Sequence, residues 1–219
     1  MDKRYRQSSN DRVSAPSPRL AAFSILELLI VIGIMAILAA MTVAIGPGLL
    51  RSSAMSSSLS SVASAVSLAR SDAIRSRKQT FFALAPDAGT LDERSFAAYA
   101  ILRKEETNFR YVTPWKKLPT GVLFRPDAAA SANQLPTVTN MPYPREDGTS
   151  QPMRVISFVS DGALDEDLHL QKSILPLQAG TRMTATDQPS YQGQYITNQI
   201  LVERLSGKVK VEREGESPK

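Results

Sequence analysis

Four acids and the only histidine of the chain crowd one short stretch: Asp161, Asp165, Glu166, Asp167 and His169. Carboxylate oxygens in such a cluster could chelate calcium, a hard cation held by oxygen ligands. The run lacks the full spacing of a known calcium loop. A lone histidine rules out His-pair metal sites and leaves His-based triads without supporting partners. The absence of cysteine removes thiolate metal sites, cysteine nucleophiles and disulfides. Ser206-Gly207-Lys208 lacks the glycine spacing of a phosphate-binding loop, and nothing selects a carboxylate pair for glycoside hydrolysis. These residues predict no catalytic set, no cofactor and no metal, and Asp165 to His169 reads as a solvated turn.

Glu27 stands in a different setting. It opens a run, Leu28 to Leu50, that carries no charged side chain. As a helix rising roughly 1.5 Å per residue, that run is about 34 Å long, enough for a hydrocarbon core of about 30 Å. An ionisable residue at the edge of such a run is costly in lipid and points to function. Composition alone favours a plain anchor with its acid at headgroup level.

The order around Glu27 carries more information. A small residue, Ala22, precedes Phe23, Ser24, two apolar residues, Glu27 and the long apolar helix. This resembles the class III signal of type IV prepilins and of type II secretion pseudopilins. The resemblance implies cleavage between Ala22, where the family usually has Gly, and Phe23 by a prepilin peptidase on the cytoplasmic side. It also implies N-methylation of Phe23 and makes Glu27 the family's assembly glutamate. A physical reason for the acid follows. A cleaved Phe23 would carry an ammonium group into the apolar interior of a filament. A buried charge is tolerated only when paired, and Glu27 of the next subunit can pair it. The acid also suits the positive end of the helix dipole.

Met1 to Ala22 holds five basic residues (Lys3, Arg4, Arg6, Arg12, Arg19) against Asp2 and Asp11, so +3 of the formal charge of +5 belongs to the leader. The remaining +2 gives no support to nucleic-acid binding. The basic leader obeys the positive-inside rule and places the N-terminus in the cytoplasm. Met1 to Leu20, with Pro16 and Pro18, shows no period and reads as disordered. A secretory signal peptide is the rival, with Ala36, Ala39 and Ala40 as a possible cut; the apolar run is long for one. At Gly46-Pro47-Gly48 the helix should kink or locally unwind, or simply end its membrane span.

Beyond Arg51, Met55, Leu59, Val62, Val66, Ala69 and Ala73 form one apolar stripe at helical spacing, within a serine-rich segment. A flexible serine linker would not hold such a stripe. The stripe should lie on a sheet, with the serine face exposed or against neighbouring subunits. Ser67 to Arg77 closes the helix, with Arg75, Arg77 and Lys78 suited to its C-terminus. Its Leu68-Ala69-Arg70-Ser71-Asp72-Ala73 resembles a segment of the GspH/FimT group of minor pseudopilins.

Strands are predicted at Gln79 to Leu84, Arg94 to Arg103, Leu118 to Phe124, Met153 to Val159, Lys172 to Gln178 with Pro176 interrupting, and a final hairpin of Ile196 to Arg204 and Lys208 to Arg213. Trp115 with Leu118-Pro119-Thr120-Gly121-Val122, the Asp161-Gly162 turn and Ser206-Gly207-Lys208 resemble further stretches of the same group. Trp115 is expected to cover the sheet. Pro126 to Pro152 reads as a long exposed loop suited to partner contact.

The expectation is an α+β, pilin-like chain in which a long N-terminal helix, transmembrane in its first half, packs on an antiparallel sheet. Its parts are a cleaved leader (1–22), a membrane half-helix (23–50), an extramembrane half-helix (51–78), a sheet domain (79–213) and a polar tail (214–219). The resemblance implies a non-enzymatic structural subunit of a pseudopilus or pilus. It would be a single-pass protein of the bacterial inner membrane, with its sheet domain periplasmic. Its partners would be prepilin peptidase, other pilin-like subunits, the inner-membrane assembly platform and membrane lipid. The alternatives are a pilus subunit that binds DNA during uptake, and a membrane-tethered exported enzyme or binding protein.

Overall fold

The computed structural model describes residues 24–89, 91–144, 150–193 and 198–213, with backbone only for 40–51. The chain divides into two compact units between Gly46 and Pro47. Helix α1 spans Ile25–Ser76. In the first unit every described side chain from Ile25 to Ala39 is exposed. Among the described residues no helix is long and apolar enough to cross a membrane. The apolar run read from the sequence continues past Ala39 into residues whose side chains lie outside those described.

In the second unit the chain is α+β, with every strand pairing antiparallel. One sheet contains β1 (Thr80–Leu84), β2 (Ala98–Glu105), β3 (Asn108–Tyr111), β4 (Lys116–Lys117), β6 (Thr137–Pro142) and β7 (Ser150–Phe158), in the order β3-β2-β1-β7-β6 with β4 also on β2. The other contains β5 (Val122–Phe124), β8 (Ser173–Thr181), β9 (Ser190–Tyr191), β10 (Asn198–Val202) and β11 (Val209–Glu212), in the order β11-β10-β8-β5 with β9 also on β8.

Alternation decides where the core lies. Phe82, Leu84, Tyr99, Ile101, Ile156 and Phe158 from the first sheet meet Phe124, Leu175, Leu177, Ile200 and Val202 from the second. Leu59, Val62, Val66, Ala69 and Ala73 of α1 complete that core, with Met55 packed at its margin. The predicted stripe is thus the buried face of α1. Ser58 is buried, whereas the other serines of 52–71 are exposed. The opposite face of the first sheet buries Phe81, Ala83, Ala100, Leu102 and Val155 beneath Met141 and Tyr143, with Trp115 packed on them as expected. Strand β1 is buried along its whole length, which explains its unbroken apolar run.

Several expectations need correction. Pro126 to Pro152 is not one exposed loop. Two short 3-10 turns, Pro126–Ala128 and Ser131–Asn133, lead into β6, which pairs with β7; residues 145–149 lie outside those described. Strand β2 begins at Ala98, because Arg94 to Ala97 forms a turn closed by the Ala97 N–H on the Arg94 carbonyl at 2.9 Å. Pro176 does not interrupt β8. Its carbonyl accepts the Arg125 N–H at 3.0 Å. The proline's missing donor therefore faces the end of short β5, away from the β10 ladder.

Candidate functional site

The residues assigned to processing, Ala22 and Phe23, lie outside the described residues. Glu27 sits in the first turn of α1 with its side chain exposed. Ser24 caps that turn, its Oγ accepting the Leu26 N–H at 3.3 Å and its carbonyl the Leu28 N–H at 3.1 Å. With Ser24 at the N-cap, Glu27 occupies the third helical position, where an acid complements both the unpaired N–H groups and the dipole. The backbone of α1 is helical through Gly46, Pro47 and Gly48, so no unwound turn occurs there. A proline deletes one donor, and one missing bond need not end a helix.

At the other end of α1, three segments that the sequence singled out separately come together around Arg70. Its Nε donates to the Gly162 carbonyl at 3.1 Å and to the Ser206 carbonyl at 3.0 Å. The Asp161-Gly162 turn and the Ser206-Gly207 turn are thus pinned to one helix face. Gly207 has φ +60°, and a Cβ there would overlap the Gly162 carbonyl oxygen. Only glycine suits that close approach.

Two residues further on, Asp72 is buried. Arg103 donates to it through Nε at 2.9 Å and Nη2 at 2.5 Å, Arg75 through Nη2 at 3.2 Å, and Thr80 through Oγ1 at 3.2 Å. Thr80 and Arg103 are direct cross-strand partners of β1 and β2, so one carboxylate locks α1 to both strands. Burial alone would raise the Asp72 pKa, but the hydrogen bonds from Arg103 and then Arg75 more than offset it and hold it below the ordinary value. Sequence reasoning gave Asp72 no such role. The available signal was an acid set beside Ala69 and Ala73 of the apolar stripe.

His169 is not on a solvated turn; it is 3% exposed. The Ser157 N–H donates to Nε2 at 3.0 Å, which places the proton of the neutral ring on Nδ1, 2.7 Å from Ser173 Oγ. Burial pushes the His169 pKa down to about 4. The neighbouring acids serve the same turn. Asp165 accepts the Asp167 N–H and Gln79 Nε2, Asp161 accepts the Ala163 N–H, and Glu166 pairs with Arg204 at 3.4 Å. Among the described residues no group of three or more His, Asp or Glu side chains converges as a metal site would require. The arrangement around Arg70 and Asp72 can fix one helix to two sheets.

The class defined so far is an α+β chain whose long helix packs on antiparallel sheets. No family model matches it, and no curated protein matches it. Among solved structures the chain is similar to the minor pseudopilin EpsH of the type 2 secretion system of Vibrio cholerae. One structure of EpsH is 13% identical with a TM-score of 0.43, covering 75% of this chain and 99% of that one. A second is 13% identical with a TM-score of 0.41, covering 74% and 94%.

Proposed function

We propose that this chain is a pilin-like structural subunit, a minor pseudopilin of a type II secretion pseudopilus or a subunit of a type IV pilus. A prepilin peptidase removes Met1 to Ala22, and the new Phe23 terminus is methylated. The N-terminal half of α1 then holds the subunit in the inner membrane, with the sheet domain in the periplasm, until the assembly platform and other pilin-like subunits draw it into a filament. The role is mechanical and calls for no turnover.

The observation that carries this reading is a helix start that is apolar and exposed on all sides. Ile25 is 82% exposed, Leu26 68% and Met35 65%, and Glu27 is the one charged side chain among them. A helix apolar all round requires lipid or other apolar helices about it. In lipid, Glu27 stays at the interface. In a filament it meets the Phe23 ammonium of a neighbour and fixes the axial register. Gly46-Pro47-Gly48 supplies a weak point, since Pro47 leaves the Val43 carbonyl without its helical donor.

Glu27→Leu should therefore leave membrane insertion unchanged and reduce incorporation into filaments at least about tenfold, the scale of one unpaired buried charge. The measurement is quantitative blotting of sheared filaments against the membrane fraction. Incorporation equal to that of the parent chain would refute the role of Glu27. The reading as a tethered binding protein gains one observation, a polar cavity in the second unit.

A further inference from the structure

The second sheet ends in an open edge. Strand β11 pairs with β10 on one side only. The register sets Gln199 opposite Glu212, Ile200 opposite Val211, Leu201 opposite Lys210 and Val202 opposite Val209, without a bulge. One step further, the Glu203 N–H donates to the Lys208 carbonyl at 3.0 Å. Bonded pairs alternate along an antiparallel ladder. The peptide groups of Lys208, Lys210 and Glu212 therefore face β10, and those of Val209, Val211 and Arg213 face outward. Among the described residues nothing takes the outward N–H and C=O groups of Val209 and Val211.

The side chains alternate between the two faces of the strand. Val209 and Val211 pack against the margin of the core. Lys210 and Glu212 lie on the other face, their side chains 61% and 29% exposed. Glu212 is held there by Gln199 Nε2 at 2.7 Å and Lys210 Nζ at 3.3 Å.

The other edges differ. Strand β6 carries a register shift, Asn140 at φ +63° and Pro142. At β5 the outward N–H groups of Val122 and Phe124 go to the Pro119 and Phe96 carbonyls, at 3.3 and 2.8 Å. Strand β3 is open, but Arg110 is its only charge.

Lysine on an edge strand ordinarily keeps other strands away. In β11 each lysine has an acid at its mirror position. The segment Lys208-Val209-Lys210-Val211-Glu212-Arg213-Glu214 is charge-antisymmetric about Val211. Laid antiparallel on a second copy with the two Val211 residues opposite, Lys210 of each copy faces Glu212 of the other. By sequence, Lys208 and Glu214 stand in the same relation. That register also sets Val209 opposite Arg213, so outward peptide groups meet outward peptide groups. Sliding one strand by one residue breaks that match. Sliding it by two sets Lys210 against Lys210 or Glu212 against Glu212, and like charges directly opposite are destabilising.

We propose that β11 is a self-association edge. Two copies pair antiparallel through residues 209–213 about a two-fold axis at Val211, joining their second sheets into one. The Val211 pair and both pairs of Val209 with Arg213 exchange backbone hydrogen bonds. The two pairs of Lys210 with Glu212 fall at non-bonded positions, where side chains approach closest. The same patch serves both copies, so the assembly closes at a dimer. This pairing is independent of the filament reading and stands or falls without it.

Sedimentation of the full chain in detergent micelles tests the proposal. The interface is small, so the expected dissociation constant is micromolar. Lys210→Glu and Glu212→Lys each replace two attractions by two repulsions and should each weaken dimerisation at least about tenfold. An equimolar mixture of the two variants restores both opposite-charge pairs between unlike chains and should dimerise as the parent does, which misfolded variants could not. A parent that stays monomeric up to about 300 µM would overturn it. So would single reversals that dimerise like the parent, since association would then lie elsewhere, as on the apolar start of α1. A mixture that stays monomeric would overturn it as well.

Discussion

Asp72→Ala should lose about 3–5 kcal/mol of folding stability, a large part of the total of roughly 5–15 kcal/mol available to a domain. The carboxylate side chain is 1% exposed and its main partner, Arg103, 18%. Removing Asp72 takes from Arg103 its buried bidentate partner at the α1 junction with β1 and β2, leaving it only Glu105 at 3.6 Å, and leaves Thr80 Oγ1 only the long contact to the Lys78 carbonyl at 3.4 Å. The asymmetry between breaking a pair and replacing it gives a sharper form of the test. Asp72→Leu with Arg103→Met removes both charges at similar volume and should recover most of the loss. Urea midpoints of the parent, both single variants and the double variant decide it. A loss below about 1 kcal/mol for Asp72→Ala would show that the junction does not depend on the ion pair.

The second large effect is a loss of stability in mild acid. His169 is the only histidine in the chain. Its native pKa is pushed down to about 4 by burial, against about 6.5 in an unfolded chain. The direction follows from proton counting. Above pH of about 6.5 neither state binds the proton, and the contribution is complete. Between about 6.5 and 4 the unfolded chain is protonated while the native ring stays neutral, so stability falls by about 1.4 kcal/mol per pH unit. Below about 4 both states are protonated and this contribution is flat. The drop from pH 7.5 to pH 5 is therefore about 2 kcal/mol. The depressed Asp72 acts in a lower window. Its contribution is present above the unfolded carboxyl value near 3.9 and is lost as pH falls through its native value. Denaturant midpoints at pH 7.5 and pH 5 measure the His169 effect. His169→Gln, which keeps an acceptor for the Ser157 N–H, should flatten that limb. A parent curve already flat between these pH values would contradict the buried neutral imidazole.

Periodicity revealed the elements whose burial is local. The stripe from Leu59 to Ala73 and the unbroken run of β1 could be read because helix and strand spacing project directly onto a buried face. Strand β6 was hidden by its composition. Its edge position, the irregularity between Val138 and Met141 and the positive φ of Asn140 suit an edge strand, and the same Pro and Asn content reads as loop. His169 was misread for a related reason. Its acidic neighbours look solvated, whereas the partners that bury it, Ser157 and Ser173, lie on β7 and on β8. Asp72 with Arg103 and Arg70 with its two carbonyls join residues far apart in the chain, and no local pattern reports such pairings. The reading of Ala22, Phe23 and Glu27 rests on resemblance; Ala22 and Phe23 lie outside the described residues, and Glu27 stands at the third helical position of α1, where its charge is favoured.

Intact-mass spectrometry of the membrane fraction, with the chain expressed in the presence and absence of a prepilin peptidase, tests the central claim most directly. The account predicts a peptidase-dependent loss of Met1 to Ala22 together with one added methyl group on Phe23. A chain that stays uncut in the presence of the peptidase, or one cut after the apolar run, would contradict it.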